Sequence, residues 1–186
     1  MKVIAVKESI FSNNDKVADE LRASLRKKGA FMINVMSSPG SGKTTVGQRA
    51  ARLMDREFID CDERYLAEYG ILPEEELLQN GEPYFRQRET ALLQKLSLQN
   101  GCVIAAGGGA VLRAENVSLL RQNGRLCLLQ RPTALLARDG RPLSRDLPEL
   151  YRQRLPLYLA AADFTVMNDG LPQDTAARLA REFALI

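Results

Sequence analysis

The chain contains no histidine. Proton transfer through an imidazole is therefore excluded, and a zinc site, which usually draws on His, is disfavoured. Tryptophan is absent as well, and aromatic residues make up only 6% of the sequence. That removes the interleaved aromatics expected of a nucleic-acid binder. The charge is nearly balanced, with 26 basic and 23 acidic residues leaving +3, so net charge selects no partner class. Only three cysteines occur, Cys61, Cys102 and Cys127. An odd count without paired spacing points to buried free thiols. No apolar run approaches the roughly 20 residues needed to cross a bilayer. The N-terminal MKVIAVKESIF has a short apolar core and no small-residue cleavage site. A cytoplasmic protein with no membrane or nucleic-acid partner is expected.

The 186 residues are 45% hydrophobic, which suits a single domain with a sizeable core. Short apolar runs at 31–36, 57–61, 102–106, 125–130 and 163–167 read as strands. Between them, helices are expected from Lys43 and over 74–80, 83–99, 116–122, 133–138, 147–161 and 174–183. Such alternation predicts an α/β layer built on a parallel sheet covered on both faces. Right-handed crossovers then gather the loops that follow the strands along one edge, where ligands bind. The start of the chain differs in character. A small strand at 1–6 and a helix over 16–28, with Val17, Leu21 and Leu25 on one face, read as an N-terminal extension. It occupies residues 1–30 and precedes the main domain at 31–186.

The stretch NVMSSPGSGKTTVGQRAA carries the strongest chemical signal. An apolar strand runs into Pro39, Gly40, Ser41 and Gly42, and a helix opens at Lys43. Glycines permit the backbone conformations that converge successive N–H groups on phosphate oxygens, and the helix N-terminus adds its dipole. Lys43 reaches the β- and γ-phosphates and the Thr44 hydroxyl ligates Mg²⁺, with Thr45 beside it. The pattern departs from GxxxxGK[ST] in one place, where Ser37 replaces the first Gly. The ligand expected is ATP with Mg²⁺.

The acceptor must be read from the ends of other strands. Asp60 and Asp62 flank Cys61, and period two puts both carboxylates on one face or rim. Asp60 is a candidate for holding Mg²⁺, and Asp62 for orienting or deprotonating a hydroxyl. Two helix N-caps are the alternative. Arg86 and Glu89 are neighbours on a helix face, either a braced guanidinium or a plain surface ion pair. Gly107, Gly108 and Gly109 end an apolar strand, where a ligand can approach the backbone or the chain simply turns. Arg131, Arg138, Arg141, Arg145, Arg152 and Arg154 crowd one third of the chain, and Arg suits capture of phosphate or carboxylate. GRPLSRD is a short loop suited to closing over a nucleotide. Arg154 stands before Pro156 in a helical run, where proline costs about 3 kcal/mol.

Taken together, GSGKTTVGQRAA, FIDCDE, GEPYFRQRE, IAAGGGAVL, GRPL and RLPLY resemble the shikimate kinases, from about Ile33 to the C-terminus. The resemblance implies a nucleoside-monophosphate-kinase type fold with a five-stranded parallel sheet. It also implies transfer of the ATP γ-phosphoryl group to the 3-hydroxyl of shikimate, a step of aromatic biosynthesis, by a monomer. On that basis Arg86 and Arg154 grip the substrate carboxylate, Asp62 bonds the ring hydroxyls, and Gly107 to Gly109 line the pocket. Arg141 comes from a lid to the phosphates. Lys43, Asp62 and Arg141 are then the catalytic set, and Arg138 takes the second nucleotide-side position. The lid is short, with only Asp139 and Gly140 between Arg138 and Arg141.

Two other readings compete. NDKVADELRASLRKKGAFMINVMSSPGSGKTT resembles the start of the nickel-insertion GTPases of hydrogenase maturation, which implies a GTP-dependent metallochaperone. The missing guanine-reading NKxD motif and the missing His oppose it. A related hydroxy-acid kinase, such as a gluconate kinase, keeps the phosphate loop but has less need of the Arg86/Arg154 pair.

Overall fold

The computed structural model describes residues 32–132 and 147–184. The expected elements at 1–6, 16–28 and 133–138, together with Arg138 and Arg141, lie outside the described residues. Five strands form one sheet: β1 (Met32–Met36), β2 (Glu57–Asp60), β3 (Cys102–Ala105), β4 (Gly124–Gln130) and β5 (Phe164–Met167). Their order is β2-β3-β1-β4-β5 and every pair is parallel, as the alternation requires. The helices are α1 (Lys43–Leu53), α2 (Cys61–Tyr69), α3 (Pro73–Asn80), α4 (Glu82–Leu96), α5 (Ala114–Arg121), α6 (Leu147–Ala161) and α7 (Pro172–Ala184), with a 3₁₀ turn at Ala110–Leu112. Among the described residues no helix is long and apolar enough to cross a membrane.

Strand pleating divides the core in two. Met32 and Met36 of β1 join Leu126 and Leu128 of β4 on one face, under α4, α5 and α6. Ile33, Val35, Cys127 and Leu129 point the other way, against Val46 and Ala50 of α1 and Leu179 of α7. Both faces are dry, so the strands read as continuous apolar runs instead of alternating ones. All three cysteines are free and buried, as their spacing implied. Burial pushes the Cys61 and Cys127 thiols well above their usual range.

α4 shows how packing and site share one helix. Its buried side chains are Phe85, Arg86, Glu89, Thr90, Leu92, Leu93 and Leu96, a stripe at three- and four-residue spacing. The C-terminal part of the stripe is aliphatic and seals the core, where Leu→Ala costs about 2–5 kcal/mol. The N-terminal part carries Arg86 and Glu89 because it faces a cleft. α3 is latched to α4 through buried Glu76, which accepts hydrogen bonds from Tyr65 (2.7 Å), Asn80 (2.7 Å) and Arg88 (2.8 Å). Burial alone would raise the Glu76 pKa, but these three donors outweigh it and hold the carboxyl below its usual range.

The strand expected at 57–61 stops at Asp60, since Cys61 already begins α2. Asp60 is the N-cap of that helix, accepting from the Asp62 N–H at 2.9 Å. The two carboxylates are thus related by a strand end and a first helical turn, not by strand alternation.

Candidate active site

The phosphate loop leaves β1 and enters α1 through two left-handed glycines, Gly40 (φ 78°) and Gly42 (φ 84°). Gly42 is the N-cap and offers no side chain to the first turn, so the leading N–H groups of α1 are left for an outside acceptor. The loop is stapled from within. Ser41 N–H donates to the Ser38 carbonyl at 3.3 Å, and the Ser41 hydroxyl donates to the Ser37 hydroxyl. Ser37, the departure from the Gly pattern, therefore has a hydroxyl that fastens the turn. Lys43 lies at the mouth of the cleft with only 7% of its surface exposed.

Thr44 Oγ1 donates to Asp60 Oδ2 at 2.7 Å, joining the start of α1 to the end of β2. A hydroxyl and a carboxylate side by side form a hard-oxygen pair of the kind Mg²⁺ takes. The other Asp60 oxygen caps α2, so the carboxylate is held from both sides. The residues present fit Mg²⁺. Both the cap and the metal-site readings of Asp60 describe the same side chain.

On the far side of the loop opens a cleft of about 390 Å³. Lys43, Asp62, Arg86, Gly107, Gly108, Gly109 and Arg154 all line it, and Phe85, Leu77 and Leu150 form its apolar wall. Thr44 and Asp60 are not part of that lining. The Arg86 guanidinium is gripped by two carboxylates. Glu89 accepts from Nη1 at 2.8 Å, and Glu82 accepts from Nε at 3.2 Å and Nη2 at 3.1 Å. With side chains only 11% and 10% exposed, the Arg86–Glu89 pair is no surface ion pair. Three of the five guanidinium N–H groups are used, which leaves one on each terminal nitrogen for a further carboxylate. Burial raises the Glu89 pKa, against the lowering effect of Arg86.

The glycine run has three separate jobs. A Cβ on Gly109 would stand 2.3 Å from Arg86 Nη2 and 2.4 Å from Nη1, so the guanidinium occupies the space a side chain would fill. A Cβ on Gly107 would meet Glu89 Oε1 at 3.0 Å, and one on Gly108 would meet the Ser37 carbonyl at 3.1 Å. The three glycines line the cleft, and the space that a Cβ would take there is filled by the protein's own clamp and loop. The Gly108 carbonyl accepts from Arg154 Nη1 at 3.2 Å and from the Tyr158 hydroxyl. Tyr158, one turn after Arg154 on α6, also lies 3.3 Å from the Ser37 carbonyl. Burial raises the phenol pKa, with Arg154 opposing.

Sequence reasoning missed Glu82, Tyr158 and Asn168. Glu82 was legible, since Glu four residues before Arg is a helix pair. Tyr158 lies within RLPLY, where only the Arg was weighed. Asn168, whose side chain reaches the phosphate loop, carries no local signal.

A family model described as shikimate kinase matches residues 39–184. A shikimate kinase of Neisseria meningitidis serogroup C is 41% identical over 153 residues, covering 76% of this chain and 90% of that protein. One from Caldicellulosiruptor bescii is 37% identical over 149 residues, covering 74% and 86%. Among solved structures, the shikimate kinase from Acinetobacter baumannii in complex with shikimate aligns with a TM-score of 0.78 and 33% identity, over 84% of this chain and 94% of that one. A gluconokinase from Sinorhizobium meliloti, at 19% identity and a TM-score of 0.51, covers 84% of this chain and 97% of its own and shares the fold alone.

Proposed function

The chain belongs to the shikimate kinase family, and from that premise we infer that it transfers the γ-phosphoryl group of ATP to the 3-hydroxyl of shikimate, with Mg²⁺, in aromatic biosynthesis. The observation that carries the reading is one cleft in which two guanidinium groups, Arg86 and Arg154, share a wall with Asp62 and buried Lys43. A small polyhydroxy acid needs cations for its carboxylate and an acceptor for its hydroxyls, and it must lie beside the terminal phosphate.

The described residues take roles that their positions support. The N–H groups at the start of α1 and Lys43 hold the phosphates. Thr44 and Asp60 hold Mg²⁺, which when bound neutralises phosphate charge. Arg86, oriented by Glu82 and Glu89, and Arg154, leaning on the Gly108 carbonyl, grip the carboxylate. Asp62 accepts from the substrate hydroxyl and orients it or takes its proton. Phosphoryl transfer through a loose transition state asks mainly for placement and charge, so a chain without His is equipped for it. Pro39, Gly40, Ser41, Gly42 and Thr45 complete the nucleotide cradle, and Arg138 and Arg141 are assigned to its lid. We assign the protein to the cytoplasm as a monomer, with no nucleic-acid partner.

The GTP-dependent metallochaperone alternative finds no support, since the family model that matches residues 39–184 is that of the shikimate kinases. A coupled assay with purified protein, Mg²⁺, ATP or GTP, and shikimate, gluconate or other hydroxy acids tests the assignment. Turnover confined to ATP and shikimate is expected. Phosphorylation of gluconate in place of shikimate would overturn it.

A further inference from the structure

Asn168 follows β5 directly and is 3% exposed. Its backbone N–H donates to the Gln130 carbonyl at the end of β4 at 2.7 Å, so its Cα is fixed to the sheet. Its side chain reaches past β4 to the phosphate loop, where Nδ2 donates to the Ser41 carbonyl at 2.7 Å. A carbonyl can only accept, so the amide nitrogen must face Ser41. Its other end is fixed too, because Oδ1 accepts from Thr175 Oγ1 at 3.0 Å. The same Nδ2 lies 3.2 Å from where a Cβ on Gly42 would stand.

The Ser41 carbonyl belongs to the same rigid trans peptide as the Gly42 N–H, and in such a unit the two point in opposite directions. Holding the carbonyl towards Asn168 turns the Gly42 N–H to the opposite side of the peptide. The other polar groups of Ser41 are already committed to Ser37 and Ser38. Arg131, just after β4, also comes near, with Nη1 3.5 Å from where a Cβ on Gly42 would stand, but Asn168 is the one that hydrogen-bonds the Ser41 carbonyl.

We propose that Asn168 is a positioning residue for the nucleotide, setting the Ser41–Gly42 peptide so that its N–H faces the phosphates. It acts on the loop and touches neither adenine nor the acceptor. The inference rests on the kinase reading above.

Calorimetric titration of Asn168→Ala and Asn168→Asp with ADP, with inorganic tripolyphosphate and with shikimate tests it, alongside thermal melts. Asn168→Ala should weaken ADP and tripolyphosphate alike by about five- to twentyfold, while shikimate affinity stays within about twofold. Asn168→Asp should lose at least as much, because its carboxylate faces the Ser41 carbonyl without a donor. Thr175→Val, which frees the amide but keeps it, should shift both phosphate probes in the same direction by less, and covers the case in which the Asn168 variants do not fold. Unchanged ADP affinity in every folded variant would overturn the proposal. So would an equal loss for shikimate, which marks general loosening, or a loss for ADP without one for tripolyphosphate, which marks a base contact. A wild-type protein that binds no ADP would instead overturn the kinase reading itself.

Discussion

Gly109→Ala isolates the Arg86 guanidinium, the clamp proposed for the acceptor. The backbone at Gly109 has φ −101°, a value that alanine adopts freely, so the substitution carries no backbone strain. The added methyl would lie 2.3 to 2.6 Å from Nη2, Nη1 and Cζ of Arg86. Carbon does not approach that closely, so the guanidinium must withdraw by about 1 Å. Such a shift takes the 2.8 Å bond to Glu89 beyond hydrogen-bonding range. The pair that is broken is buried, so the melting temperature should fall as well, and both ligands are titrated below the variant's transition. Shikimate should lose a charge-assisted contact of about 1.5–3 kcal/mol, which is roughly a 10- to 150-fold weaker Kd. Calorimetric titration with shikimate and with ADP measures both sites, and ADP should bind as in the wild type. The double variant with Arg86→Ala separates a displaced clamp from a methyl that merely crowds the cleft. If Gly109→Ala works through Arg86, it adds nothing once Arg86 is gone. Additive losses, or shikimate binding within about twofold of wild type in the single variant, would refute the reasoning.

Asp62→Asn keeps the shape of the side chain and removes its charge, so phosphorylation should fall by about 10²-fold or more while ADP still binds; near-normal kcat would remove Asp62 from the chemistry. Arg154→Ala should weaken shikimate by about 10- to 150-fold and leave ADP affinity unchanged, and calorimetry of both ligands decides. Glu89 has a folded pKa raised by burial above its ordinary 4.5, with Arg86 opposing. From 4.5 upwards to that raised value the folded state holds more protons than the unfolded chain, so stability falls as pH rises through the window. Melting of wild type and Glu89→Gln from about pH 4 to 8 should show the wild type losing ground to the variant across it, and the opposite slope would contradict the assignment.

The phosphate loop was legible because a strand, two glycines and a helix start are consecutive in the chain. The Arg86–Glu89 pair was legible because helix periodicity fixes neighbours three residues apart. Asp60 and Asp62 were selected by spacing, but the strand ends between them, a boundary of the kind that capping chemistry settles more than periodicity. The relations that stayed hidden are the long ones. Asn168 meets Ser41 across 127 positions and Tyr158 meets Ser37 across 121. Gly109 looked like a gap for a ligand because nothing nearby in the chain says that α4 lays a guanidinium on it. A glycine announces that space is needed without naming the occupant.

The strand order itself separates the two substrates. β1 is the switch point, with β3 on one side and β4 on the other, and ligands in open α/β sheets bind at such a crevice. The phosphate loop grows from β1, whereas the glycine run grows from β3 and the aspartates from the end of β2. The glycine run is therefore one strand from the phosphate loop, roughly 4.7–4.9 Å at the roots, and the aspartates are two strands away, separations that the backbone hydrogen bonds of the sheet set. Tyr158 sits over the seam, within reach of the carbonyls of Ser37 and Gly108, while Asn168 ties the opposite flank of the loop to β5. A phosphoryl group that needs only alignment gains most from such a frame, because the sheet fixes the distance and the side chains have only to fix direction.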